Sequence, residues 1–306
     1  MTYNTGSNIL ASDYNTFATA AASVNEVFAD MHSGATSLPD AGYGYGQTAL
    51  TSVSAGNPIL ASEWNALFTA MRSCGTHQGT TVVPPLPSTG PVAGDVVTAV
   101  TTDAGFATLV SNLRTNRFVI APAQTSLITG TTYSSSTPWT TSLVYTTQID
   151  FGSWNNARYF FNSGGSVVPT GSYSSTATPD ELAWHNALIN MSLTNFSYNS
   201  TTNATGNEAV SPPGFYGLTT SYQTIYLRHV GGAAYYVGNY VKIEAKLNAA
   251  AGTNGKVDMR ITLIDADTFP VTKTGTTAFS INRYQTSAPI VYPGSFVVTN
   301  GGFVVT

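Results

Sequence analysis

The 306-residue chain carries only 8% charged residues, a formal net charge of −4 and a single cysteine, while 42% of it is hydrophobic. The hydrophobic share excludes a disordered polymer, the eleven scattered Lys and Arg exclude phosphate-tracking nucleic-acid binding, and a lone cysteine excludes a disulfide framework or a cysteine metal cluster. Ser, Thr, Asn and Gly take the place of ions on the surface, so packing against a neighbour demands little ion desolvation.

The opening Met1-Thr2-Tyr3-Asn4-Thr5 has neither the charged nor the apolar region of a signal peptide, and no apolar run reaches bilayer length. The expectation is a chain made in the cytoplasm, with no membrane partner. An internal repeat follows. Ile9-Leu10-Ala11-Ser12-Asp13-Tyr14-Asn15 returns fifty residues later as Ile59-Leu60-Ala61-Ser62-Glu63-Trp64-Asn65, and the match continues through Thr19/Thr69 and Ala20/Ala70. Ser12 and Ser62 suit helix N-caps, with Asp13 and Glu63 placed for the helix dipole. Tyr14, Phe17, Ala21, Val24, Phe28 and Met31 then recur at steps of three and four, as do Trp64, Leu67, Met71 and Cys74. Each set forms a narrow seam suited to a partner helix, and Cys74 on that seam reads as a buried small hydrophobe. The glycine-spaced loop Gly42-Tyr43-Gly44-Tyr45-Gly46-Gln47 opens no helix and lacks a Lys-Ser/Thr, so it predicts tyrosine packing and no phosphate site.

Residues 1–79 are thus expected to form a helical docking segment, with repeats at 9–20 and 59–70. A Pro/Gly linker spans 80–95, and 96–306 form the β domain. A short helix is predicted with Asp103 as cap and Phe106, Leu109, Val110 and Leu113 on one face. Beyond it the period becomes two: Val241, Ile243, Ala245 and Leu247 alternate with Lys242, Glu244 and Lys246, and Val257, Met259, Ile261 and Leu263 with Asp258, Arg260, Thr262 and Ile264. Asn254-Gly255 between them predicts a tight hairpin loop. Further strands are expected at 116–121, 142–151, 157–161, 193–198, 221–230 and 277–283. One helix interrupts them, announced by Thr178-Pro179-Asp180-Glu181 (cap, first-position proline, capping-box glutamate) and a stripe of Trp184, Ala187, Leu188 and Met191. The fold class expected is mainly β: an antiparallel β-sandwich with an inserted helix, preceded by a small N-terminal helical segment. Asn300-Gly301 between two Phe-Val-Val arms predicts a terminal hairpin that either closes the sandwich or completes a sheet in a neighbouring subunit.

Chemistry is sparse. His32, His77, His185 and His229 lack metal-ligand spacing, and no HExxH, Gly-x-Ser-x-Gly or P-loop occurs. Asp265-Ala266-Asp267 lacks the rest of a calcium loop and reads as a solvated strand end. Asp150 with Glu181 forms a glycosidase pair only if the fold brings them across a cleft. His185 beside Asp180 has no nucleophile. The expectation is no enzyme activity, no cofactor and no metal.

Three segments resemble a family of virion structural or fibre-like proteins of T4-like marine cyanophages and related tailed phages. They are Tyr43-Gly44-Tyr45-Gly46-Gln47-Thr48 leading to Ala55-Gly56-Asn57-Pro58-Ile59-Leu60-Ala61-Ser62-Glu63-Trp64-Asn65-Ala66-Leu67 and His77-Gln78, then Phe151-Gly152-Ser153-Trp154-Asn155-Asn156-Ala157-Arg158-Tyr159-Phe160-Phe161-Asn162-Ser163-Gly164-Gly165, and Leu218-Thr219-Thr220-Ser221-Tyr222-Gln223-Thr224-Ile225-Tyr226. The resemblance implies a non-enzymatic component of the phage particle and fixes no location on it; with the low-charge surface and the two helical seams, the expectation is a subunit of the neck or collar, tail or fibre apparatus that self-assembles as a homo-oligomer and docks to other virion proteins. It carries over no functional residues. The alternative is a host-surface glycan-binding adhesin at a fibre or tail tip. The residues expected at an assembly interface are Tyr14, Phe17, Val24, Phe28, Trp64, Leu67, Met71, Phe296, Val298, Phe303 and Val305.

Overall fold

The computed structural model describes residues 10–20, 23–28, 44–80, 103–230, 238–267, 271–286 and 296–305, with backbone alone at 25, 26, 103–107 and 286. The chain divides into two compact units, one of residues 1–125, 162–164 and 286–293, the other of the remainder. Most of the expected 80–95 linker, with Ala21, Met31, Gly42, Tyr43 and the Phe106 side chain, lies outside the described residues.

The helical unit holds α1 (Ala11–Ala18), α2 (Val24–Phe28), α3 (Ala61–Gln78) and α4 (Asp103–Thr115). The two repeat copies begin their helices identically, two residues earlier than the serines suggested. Leu10 and Leu60 are the N-caps, and the carboxylates of Asp13 and Glu63 each accept from the cap's own backbone N–H, both at 2.7 Å. Equivalent residues then meet: the Tyr14 and Trp64 rings pack edge to face at 5.5 Å. Asn15 grips the backbone of Val53 through both amide atoms, at 2.9 Å each. Gly79, at φ 67°, ends α3 in the left-handed conformation that favours glycine. Leu109, Val110 and Leu113 of α4 join the same core as Leu67, Met71 and Cys74. The helical unit therefore takes in α4, which the sequence reading had assigned to the β domain.

The second unit contains β1 (Thr125–Ile128, its first residue in the helical unit), β2 (Thr132–Ser135), β3 (Ser142–Asp150), α5 (Trp154–Asn162, its last residue in the helical unit), β4 (Ser166–Tyr173), α6 (Pro179–Met191), β5 (Thr194–Phe196), β6 (Thr201–Asn203), β7 (Gln223–His229), β8 (Tyr240–Leu247), β9 (Lys256–Ile264), β10 (Thr277–Thr286, its last residue in the helical unit) and β11 (Val297–Val305). Among the described residues these strands make two sheets, one ordered β1-β10-β4-β5-β6 with β2 also on β10, the other β11-β3-β9-β8-β7. Their pairings are antiparallel. The faces meet through Tyr145 of β3, which lies 5.3 Å from Phe279 of β10, and through Phe303 of β11, 6.0 Å from the same ring. The fold is a mainly β, antiparallel sandwich. α6 packs on β4 of one sheet and on β7 and β8 of the other, so it is the inserted helix.

The alternation read in β8 and β9 holds. Val241, Ile243, Val257, Met259, Ile261 and Leu263 are buried. On the opposite face Lys242 pairs with Glu244 at 3.2 Å, Arg260 with Glu244 at 2.7 Å, Lys246 with Asp258 at 3.7 Å and Lys256 with Asp150 at 3.1 Å. α6 also starts as expected, Thr178 Oγ1 accepting from Glu181 N at 3.2 Å with Pro179 in the first turn. The Glu181 carboxylate instead takes the Ser175 hydroxyl at 2.7 Å.

Four local expectations are corrected. Residues 157–161 are helical within α5, because Ser153 Oγ accepts from Asn156 N at 3.1 Å at the helix start and Ala157, Phe160 and Phe161 are buried at helical spacing. Their rings join Phe151, Phe196 and Phe215, with Phe161 stacked on Phe215 at 4.5 Å. Residues 116–121 leave α4 through a turn and form no strand. Asn254-Gly255 ends a longer β8–β9 loop whose bend lies at Gly252, φ 86°. Finally, from Val297 onward the two C-terminal arms form one strand, β11, paired with β3 on both sides of Gly301. Asn300-Gly301 makes a bulge in it, with the register shifting between Asn300 and Gly302 and Gly302 at φ 95°.

Candidate functional site

The residues expected at an assembly interface fall into two groups, one in each compact unit. Tyr14, Val24, Trp64, Leu67 and Met71 are buried in the helical unit's own core, and Phe17 and Phe28 pack against it half-buried. The seam is thus covered by the chain itself, which corrects the expectation of a partner helix. Burying a side chain of this size stabilises by about 1.5–3 kcal/mol, so the seam belongs to folding. Tyr45 joins this core, its hydroxyl donating to Arg117 O at 2.9 Å and accepting from Gln78 Nε2 at 2.8 Å. His77 lies 5.0 Å from the Tyr45 ring with Nε2 3.0 Å from Ser163 O, and burial pushes its pKa down to about 4. Burial holds the Cys74 thiol well above its ordinary range.

In the second group, Phe296 is buried against Phe151 and Phe160, at 5.1 and 5.6 Å, and Val298, Phe303 and Val305 are half-buried. Their alternate neighbours face outward, Val297 at 68% and Val304 at 56% exposure. β11 ends the strand order of its sheet. Among the described residues no strand pairs with its outer edge, which offers a row of backbone donors and acceptors, and no residue from Val297 to Val305 is charged.

A groove of about 630 Å³ in the helical unit is lined by Tyr14, Phe28, Thr48, Thr51, Asn65 and Thr69, among others. Its acid, Glu63, already serves the start of α3.

Among the described residues, three acids converge in the sandwich. Asp265 and Asp267 were expected at a solvated strand end, yet Asp265 is 2% exposed. Its carboxylate is in direct contact with the ammonium of Lys273, which is wholly buried, and Asp180 from the first turn of α6 lies 2.8 Å from the same nitrogen. Oxygens of Asp180, Asp265 and Asp267 lie within 4.8 Å of one another, a spacing that suits a cation. Lys273 already supplies the positive charge there, so the set fits an internal ion cluster. Burial raises the pKa of Asp267, opposed by the Asn239 amide at 3.1 Å and reinforced by the charge of Asp265. Sequence does not show this role: Lys273 stands in no motif, and Asp180 is read there only as part of the α6 start signal and as a neighbour of His185.

The other acids weighed for catalysis are engaged structurally. Asp150 accepts from Gly152 N at 2.7 Å and pairs with Lys256, and both hold its carboxyl below the usual range, the backbone contact most strongly. His185 Nδ1 lies 2.8 Å from Tyr173 O. Among the described Phe, Tyr and Trp residues only Tyr284 is exposed, so these rings mostly build cores. Comparison of the chain with family models, curated proteins and solved structures finds no match.

Proposed function

We propose that this chain is a non-enzymatic structural subunit of a tailed-phage virion, in the neck or collar, tail or fibre apparatus, working by self-assembly and by docking to other virion proteins. The observation that carries the reading is β11: uncharged, at the edge of its sheet among the described residues, with Val297 and Val304 exposed. Such an edge is a template for a further strand unless charge or proline guards it. The low ionic content of the rest of the surface favours close packing, and the resemblance to virion proteins supplies the setting.

Sedimentation or light scattering over a range of protein concentrations tests it. The wild-type chain is expected to form a discrete oligomer, and the Val297→Lys/Val304→Lys variant to remain monomeric with unchanged far-UV circular dichroism. A wild-type chain that stays monomeric at high concentration, and is missing from purified particles, overturns the reading.

A further inference from the structure

We propose that Lys273 and Asp265 are joined by an intramolecular amide bond that the folded chain forms by itself, with Asp180 relaying the protons. This is a modification site independent of the assembly reading.

Three observations meet at this point. The first is proximity under restraint. Lys273 Nζ touches Asp265 Oδ2, and both backbones are tied to the segment entering β3. Asp265 N donates to Thr141 O at 2.9 Å, while Lys273 N and O pair with Trp139 O and N at 2.7 and 3.1 Å. Nucleophile and carbonyl carbon are thus held together, which removes the entropic part of the barrier. The second is a proton acceptor in place. Asp180 Oδ2 lies 2.8 Å from Nζ, on a helix whose start is fixed by the Thr178 cap and Pro179. The third is dryness. Lys273 is wholly buried, the Trp139 ring centre lies 5.7 Å from Nζ, and Trp184 packs on Trp139 at 5.1 Å. A buried ion pair carries a desolvation penalty that a neutral amide does not, and the enclosing rings shut out the water that hydrolysis would need.

The step balances without a co-reactant. Asp180 takes one proton from the Lys273 ammonium and frees its lone pair, and Nζ attacks Cγ of Asp265. The Cγ–Oδ2 bond breaks, and Oδ2 leaves as water carrying the two protons that nitrogen gives up, both passed through Asp180. The third proton stays on the amide nitrogen, and Asp180 ends ionised as it began.

Intact mass spectrometry of the denatured full-length chain tests this. The wild-type protein is expected one water lighter than its sequence, with a branched peptide joining Lys273 to Asp265 after proteolysis. Lys273→Met and Asp180→Asn are expected at full mass, the latter with wild-type circular dichroism. A wild-type chain at full mass overturns the proposal, even if a variant fails to fold. A branch through Asp180 or Asp267 overturns the choice of partner, and water loss persisting in Asp180→Asn overturns the relay.

Discussion

Replacing Trp64 by alanine asks whether the repeated helical seam folds the chain or joins it to another. Trp64 is 6% exposed, with Tyr14 at 5.5 Å on one side and Phe68 at 5.7 Å on another. Removing a buried indole costs about 3–5 kcal/mol, of which the edge-to-face pair with Tyr14 accounts for about 0.5–1.5 kcal/mol. At a urea slope of about 2 kcal/mol per molar, the unfolding midpoint falls by roughly 1.5–2.5 M. Urea titrations followed by far-UV circular dichroism measure the shift. Both rings belong to one chain, so the shift is expected to be the same at every protein concentration. A cycle combining Trp64→Ala with Tyr14→Ala then isolates the pair energy. If Trp64→Ala left unfolding unchanged while dissociating an oligomer, the intramolecular seam would be refuted.

Three further outcomes are expected. The His77 pKa is about 4 in the fold and its ordinary value is 6.5, so between these limits the unfolded chain binds the extra proton. Stability is complete above pH 6.5 and declines as pH falls toward 4, by about 3 kcal/mol; thermal melts of the wild type against His77→Gln measure it, and equal pH slopes would contradict it. A Cβ at Gly255 would stand 2.0 Å from the backbone oxygen of Ser153, so Gly255→Ala should destabilise by about 1–3 kcal/mol or more in chemical denaturation. Cys74 is buried and its thiol is held protonated, so a thiol reagent should label it only in denaturant, and rapid labelling of native protein would contradict its place in the core.

The parts legible in the sequence are those where one local rule acts alone. β8 and β9 alternate because one face is dry, and α6 announces itself through Thr178 and Pro179. α5 was misread because Arg158 to Phe161 also fits a strand, and the deciding signal, Ser153 capping Asn156, lies before the string. Asn300-Gly301 fits a hairpin, yet β3 offers a partner long enough for both arms, so the glycines absorb one extra residue as a bulge. The seam's spacing was visible, but its occupant was not: a helix stripe is the same whether its cover comes from the same chain or another. Lys273 and Asp180 meet only through tertiary structure, far apart in sequence.

The charge ladder on the outer face of β8 and β9 bears on encounter kinetics. Lys242, Lys246, Lys256 and Arg260 each have a carboxylate within 3.7 Å. Four cations share three carboxylates, Glu244 serving two, so all but one charge is matched; beyond about one screening length, roughly 8 Å at physiological salt, the face projects little field to guide an incoming molecule. Collisions there proceed by diffusion and orientation, in the unsteered range of about 10⁵–10⁷ per molar per second, and their rate should change little between dilute buffer and strong brine.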